Sequence, residues 1–365
     1  MWTPQDFVRP HIVTMPAYEP ILPFEVLSQQ LGRPPSEIIK LDANENPYGP
    51  LPAVQQALAN LTYAHIYPDP NSEALRHALA DWLKMPAENL LAGAGADELI
   101  DLTMRLFLEP GDVLLNCPPT FGMYAFDGDL NAGRVINVPR RADFSLDMEG
   151  IEQAVREYCP KLLFLASPNN PDGSLIAPEQ LERLLELPLM LVLDEAYIEF
   201  ASAGHSWIQQ VPQRSNLIVL RTLSKWAGLA GLRVGYGAFP SVLLPHLWKI
   251  KQPYTVSVAA SAAALAALAH PAELSTVGQR ILAERARLFG LLQDVPYLRP
   301  LPSQANFILC QVLGRDAGEL KRALAEQAGV LVRYFNKPGL QNFIRISVGL
   351  SAHTDRLLNA LYALV

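Results

Sequence analysis

Lys225 closes the run Arg221-Thr-Leu-Ser-Lys225 directly after an apolar stretch, and Arg233 follows eight positions on in GLAGLRVGYG. A lysine in that place can form an imine with an aldehyde cofactor, while Ser224 and Arg233 can hold a phosphate. Lysine is mostly an exposed residue type, so this reading depends on its companions. Asp194 ends the hydrophobic run Leu189-Met-Leu-Val-Leu-Asp194. A carboxylate there can keep a pyridine nitrogen protonated, which makes the ring an acceptor for the electrons released when a Cα–H bond breaks. Tyr197, three residues on, can donate a hydrogen bond to an oxygen on the same ring. Without a partner lysine, such an aspartate is as readily explained as a helix cap. Two turns complete the set. In Ala166-Ser-Pro-Asn169-Asn170-Pro-Asp-Gly173 a Pro/Gly-fixed turn can present an Asn to a ring. In Ala92-Gly-Ala-Gly-Ala96-Asp97-Glu the backbone N–H groups of Gly95, Ala96 and Asp97 can bind phosphate at a helix start.

These residues must be held by a scaffold, and its pattern is legible. Apolar runs over Asp112–Asn116, Arg134–Val138, Lys161–Ala166, Leu189–Leu193, Asn216–Arg221 and Arg233–Ala238 suit strands covered on both faces. Ala96–Leu108 and Pro178–Leu187 carry apolar residues at helical spacing between them. The chemistry-bearing residues follow strand ends, where open α/β sheets bind ligands. From Ser257 a long helical stretch leads to a different order: strand Asn306–Val312, helix Ala317–Ala328, strands Val330–Phe335 and Phe343–Val348, and a last helix. That order predicts a smaller α+β C-terminal domain. The Pro-rich first seventy positions read as turns and extended arms. The expected division is an N-terminal arm or lid over 1–44 that packs with the small domain, a large domain over 45–253, and the small domain over 254–365.

Composition excludes several classes. Half of the 365 residues are hydrophobic, enough for a large core, and 29 basic against 36 acidic residues leave a net charge of −7. Without a basic helix or run, no nucleic-acid surface is expected. Cys117, Cys159 and Cys310 show neither disulfide nor zinc spacing, and the seven histidines show no ligand-like spacing, so no metal is expected. A reducing, cytoplasmic setting is the default expectation. The start lacks a secretory pattern, and the small-apolar run Ser257–Ala269 is too short for a bilayer, so no membrane partner is expected.

With these motifs in one chain and in this order, the sequence resembles the pyridoxal-phosphate-dependent aminotransferases of the aspartate-aminotransferase fold, and within them the histidinol-phosphate branch. The resemblance covers nearly the whole chain: KLDANENPYGP from Lys40, YPDP from Tyr67, AGAGADE, CPPTFGMY from Cys117, SPNNPDG, VLDEAYIEF, TLSK, AGLRVGYG and LVRYFNKPGLQNFIRISVG. It implies fold type I, a mostly parallel seven-stranded sheet between helices, with pyridoxal 5'-phosphate as cofactor.

The same resemblance implies roles. Lys225 would be the Schiff-base lysine and proton shuttle, Asp194 the partner of the ring nitrogen, and Asn170 and Tyr197 the partners of the ring oxygen. Phe121 would stack on the ring. Ala96, Asp97, Ser224 and Arg233 would hold the cofactor phosphate, joined by Tyr67 from a second subunit, which implies a homodimer with shared sites. Arg345 looks like the receiver of a substrate α-carboxylate, Arg333 like the receiver of a substrate phosphate, and Tyr18 like part of the lid. Two positions depart from the family: Asp172 stands where threonine is usual, with little effect expected on the ring contact, and Phe121 stands where tyrosine is common. The implied reaction moves an amino group from histidinol phosphate to 2-oxoglutarate in histidine synthesis. Alternatives are an aromatic aminotransferase, a threonine-phosphate decarboxylase and a non-catalytic cofactor-binding sensor.

Overall fold

The computed structural model describes residues 2–17 and 22–364. Among them are twelve strands: β1 Ile39–Leu41, β2 Leu90–Gly93, β3 Val113–Asn116, β4 Arg134–Asn137, β5 Leu162–Ala166, β6 Met190–Asp194, β7 Leu217–Thr222, β8 Gly235–Ala238, β9 Leu298–Pro300, β10 Phe307–Val312, β11 Val330–Tyr334 and β12 Phe343–Ser347. All of β5 and β7 is buried. A strand with apolar side chains on both faces must be covered on both, and alternate residues here enter different cores. Leu163, Leu165, Leu191, Leu193, Leu217 and Val219 join one cluster; Leu162, Phe164, Val192, Ile218 and Leu220 join the other. This period-two division marks a sheet with helices on each side. Shortening one such leucine to alanine costs about 2–5 kcal/mol.

The larger sheet has seven strands in the order β2-β8-β7-β6-β5-β3-β4. β3 to β7 run parallel, and β8 is antiparallel to both of its neighbours. The carboxyl ends of β2, β3, β5, β6 and β7 therefore share one edge with the amino end of β8. The fold is fold type I α/β, as its solved relatives below also indicate. The second sheet, ordered β1-β11-β12-β10-β9, is antiparallel except for β1 on β11. Helices Ala317–Ala328 and Ser351–Ala363 accompany it.

Some elements differ from the sequence expectation. The N-terminal segment is not merely irregular: it contains helices Pro10–Thr14 and Phe24–Leu31 as well as β1. Three residues are too few to show a strand period, and the pairing of Ile39 with Val330 lies far along the chain. β2 was not anticipated either, being four residues directly before a glycine-rich turn. The strand expected from Arg233 starts at Gly235, because Arg233 itself sits at φ 52°, outside the extended region. Helix Val258–Leu268 is capped by Ser257, whose hydroxyl accepts from the Ala260 N–H, and packs on helices Pro52–Ala59 and Glu73–Leu83. Its alanines allow the close approach. Among the described residues no single helix is long and apolar enough to cross a membrane.

Candidate active site

A cavity opens at the shared strand edge. Lys225, three residues past β7, lines it, and its Nζ donates to the Ala43 carbonyl at 3.1 Å. Burial, and next the neighbouring Arg345, bring the Lys225 ammonium down to about 8. The amine can thus lose its proton near neutral pH. The segment after β1 serves the whole site: Asp42 O accepts from Arg345 Nη2 at 2.7 Å, Ala43 O from Lys225, and Asn44 O from Asn306 Nδ2 at 2.9 Å.

Asp194 ends β6 on the cavity floor, 5 % exposed. Its Oδ2 accepts from the Tyr124 hydroxyl at 2.6 Å and its Oδ1 from the Ala196 N–H at 2.9 Å. Burial still lifts this carboxyl to about 6. A cation against it would reverse that shift. Burial, foremost, also raises the Tyr124 and Tyr197 hydroxyls. The Tyr197 oxygen accepts from Asn44 Nδ2 at 3.0 Å, which leaves its own proton to be donated elsewhere. Asn44 is held in turn at φ 56° by Ser347, whose hydroxyl donates to Asn44 Oδ1 at 2.9 Å.

At the other end of the cavity, helix Ala96–Phe107 starts after Gly95 at φ 84°. A side chain on Gly95 would collide with the Arg233 guanidinium, and one on Gly235 would lie 2.6 Å from Ala96 N. Close backbone approach therefore builds this corner. Arg233 Nη2 pairs with Asp97 at 2.6 Å, and Nη1 donates to Ser224 Oγ at 3.4 Å. Thr222 Oγ1 donates to the same Ser224 oxygen at 2.9 Å. Hydroxyl, guanidinium and helix start thus converge where an anion can sit.

The structure brings together Lys225, Asp194, Tyr197, Asn170, Phe121, Ala96, Asp97, Ser224 and Arg233 around one cavity. Arg345, 5 % exposed, reaches the site through Asn170, whose Oδ1 accepts from its Nη1 at 2.5 Å. Arg333 stands directly opposite Arg345 on the paired strands β11 and β12. Tyr67 is not in the cavity of its own chain: it is 80 % exposed and stacks on Tyr254. Tyr18 lies outside the described residues. Asp172 turns away from the ring position and accepts from Asn169 Nδ2 and, at 3.0 Å, from the Ser174 N–H.

Sequence reasoning assigned no role to Tyr124, Thr222 or Asn44. Tyr124 lies one helical turn past Phe121 in a motif already singled out, and Asn44 lies within KLDANENPYGP, so the signals were present without a partner to give them meaning. Among the described residues no group of His, Cys, Asp and Glu could hold a metal.

A parallel sheet with lysine, aspartate and an anion corner at its carboxyl edge defines a cofactor-dependent group-transfer fold, and residues 36–361 match the model of the family Aminotransferase class I and II. The chain belongs to that family. Histidinol-phosphate aminotransferase, chloroplastic, of Nicotiana plumbaginifolia is 55 % identical over 360 residues, covering 98 % of this chain and 87 % of the relative. Histidinol-phosphate aminotransferase of Roseiflexus castenholzii is 51 % identical over 363 residues, covering 97 % of each. The crystal structure of histidinol-phosphate aminotransferase from Sinorhizobium meliloti in complex with pyridoxal-5'-phosphate superposes with a TM-score of 0.90 at 31 % identity, covering 98 % of each chain. The cofactor of this chain is pyridoxal 5'-phosphate. The residues present suit that group: a carboxylate lifted by burial can take a ring-nitrogen cation, and the Gly95–Arg233 corner can take a phosphate.

Proposed function

We infer that this chain is a transaminase that takes the amino group of histidinol phosphate and passes it to 2-oxoglutarate. The observation that carries the reading is the pairing of Arg333 with Arg345, which donates to the cavity-lining Asn170, in a chain 51–55 % identical to enzymes of that name. A guanidinium binds phosphate and carboxylate with the same fork, so two of them serve two unlike substrates in turn. The aromatic-aminotransferase and decarboxylase readings lack such support.

Pyridoxal 5'-phosphate, when bound, supplies a carbonyl carbon for amines and a ring that withdraws electrons. Ala96, Asp97, Ser224 and Arg233 anchor its phosphate, Phe121 covers the ring, and Asn170 and Tyr197 address the ring oxygen. Asp194 holds negative charge against the ring nitrogen. Lys225 would hold the cofactor at Nζ, and the same atom, when free, would take and return the substrate proton. Its lowered ammonium suits a base working near neutral pH. Arg345 receives the α-carboxylate of the 2-oxo acid, Arg333 the phosphate of the amine, and Tyr18 contributes to a lid. The domain division at residues 44 and 253 is proposed on the same footing.

A homodimer with Tyr67 completing the neighbour's phosphate corner accords with its 80 % exposure, beside exposed Tyr63 and Ile66. A reducing cytoplasmic setting, expected from the sequence, remains a proposal, while the plant relatives carry chloroplastic in their names. A panel of amino donors with 2-oxoglutarate as acceptor tests the substrate reading. Histidinol phosphate should be preferred over phenylalanine, and Arg333→Ala should raise KM for histidinol phosphate by roughly tenfold or more while sparing phenylalanine, in line with the loss of a charged hydrogen-bonded pair. An unchanged preference would count against the assignment.

A further inference from the structure

The two arginines do not stand alone. The Arg345 guanidinium lies over the Phe307 ring at 5.1 Å and over the Phe335 ring at 5.6 Å, and the Arg333 guanidinium lies over the same Phe335 ring at 5.7 Å. Phe307 meets the Tyr197 ring edge-on at 5.0 Å and 89°. One unbroken column thus runs from the hydroxyl that faces the cofactor outward: Tyr197, Phe307, Arg345, Phe335, Arg333. Like charges directly opposite on neighbouring strands repel, and nothing in the strand pairing keeps the two forks at a set separation. Arg345 is already fixed by Asn170 and the Asp42 carbonyl, and an aromatic face shared with it attracts the Arg333 guanidinium toward a set place beside it. Phe335 is itself braced by the small cluster of Phe144, Leu309 and Leu340.

We infer that Phe335 is a specificity-determining residue: its ring sets the spacing of the Arg333 and Arg345 guanidiniums, and so the enzyme's ability to seat a phosphate on a longer arm and a carboxylate on a shorter one in the same pocket. The inference rests on the substrate reading above, in which both arginines bind anions. A histidinol phosphate molecule carries its anion beyond a methylene and an ester oxygen, whereas a 2-oxo acid carries a carboxylate directly on the reacting carbon. Without the ring the inner fork keeps Phe307 and Asn170, but the outer one loses its aromatic contact. The phosphate-bearing amine should therefore suffer more than the 2-oxo acid.

The test uses the full-length holoenzyme with Phe335→Leu and Phe335→Met, which keep apolar bulk against Leu340, beside Phe335→Tyr and Phe335→Trp, which keep a π face. The Leu and Met variants should raise KM for histidinol phosphate about threefold to tenfold, as expected for one lost cation–π contact, with a smaller change in kcat. KM for phenylalanine should move less than twofold, and the aromatic variants should stay near wild type. The inference is overturned if Leu and Met leave the histidinol phosphate KM unchanged, or if Tyr and Trp are as impaired as Leu. It is equally overturned if neither Leu nor Met loads the coenzyme, since the ring would then serve only to hold the fold. Arg333→Ala run alongside separates the two levels. No effect there sinks the substrate reading, whereas an effect there with none at Phe335 sinks only the present inference.

Discussion

At the scale of single residues, the site depends on charges kept short of solvent. Asp194 is ionised near neutral pH partly because the Tyr124 hydroxyl donates to it at 2.6 Å, opposing the burial that lifts it to about 6. Tyr124→Phe removes that donor, so the carboxyl climbs further. In the role proposed for Asp194 the carboxylate must be ionised to hold charge against the ring, and the acid limb of kcat/KM against pH should then move to higher pH. A hydrogen bond to a charged group is worth about 1.5–3 kcal/mol and a pH unit about 1.36 kcal/mol, so the shift should be about one to two units. A ring cation lowers Asp194 in both proteins alike, and their difference persists. A limb that stays in place or moves to lower pH would show that Tyr124 merely packs. The positions of Asp194 and Lys225 stood out in the sequence because one ends an apolar run and the other follows one closely. Tyr124 did not, because it acts on a residue 70 positions away, and nothing local records that meeting.

Among the elements, helix Ala96–Phe107 and β8 meet at a tight joint. A Cβ on Gly235 would lie 2.6 Å from Ala96 N and from Gly95 C, both backbone atoms that cannot rotate aside. Gly235→Ala must push the helix start away from the cavity, at a cost of about 1–3 kcal/mol for overpacking. The melting temperature should fall, and coenzyme affinity should fall with it as the phosphate corner opens. A variant with native melting and native affinity would refute that account. Strands β3 and β5 to β7 of the large sheet were visible as apolar runs, since burial on both faces writes a continuous signature. β1 and β2 were not, for three or four residues carry no period and derive their conformation from Val330–Val332 and β8.

For the whole molecule, the open question of a shared site has a direct check. If Tyr67 completes the neighbour's phosphate corner, Tyr67→Ala and Lys225→Ala should each be impaired alone. In a mixed dimer, however, one site regains both native side chains. Mixing the two after dissociation should restore activity that neither possesses, and light scattering should report about twice the 40.2 kDa of one chain. A monomer, or no gain on mixing, would rule out sharing. The amino-acid order by itself determined which residue types end the strands, and with them the family and the cofactor, because those signals are local and sit in unbroken motifs. Only the tertiary structure decided that Asp42 to Asn44 would thread the site, that Tyr124 would brace Asp194, and that two phenyl rings would order two guanidiniums. Each of those is a meeting of segments far apart in the chain, created when burying the apolar strands forces their polar ends onto one edge.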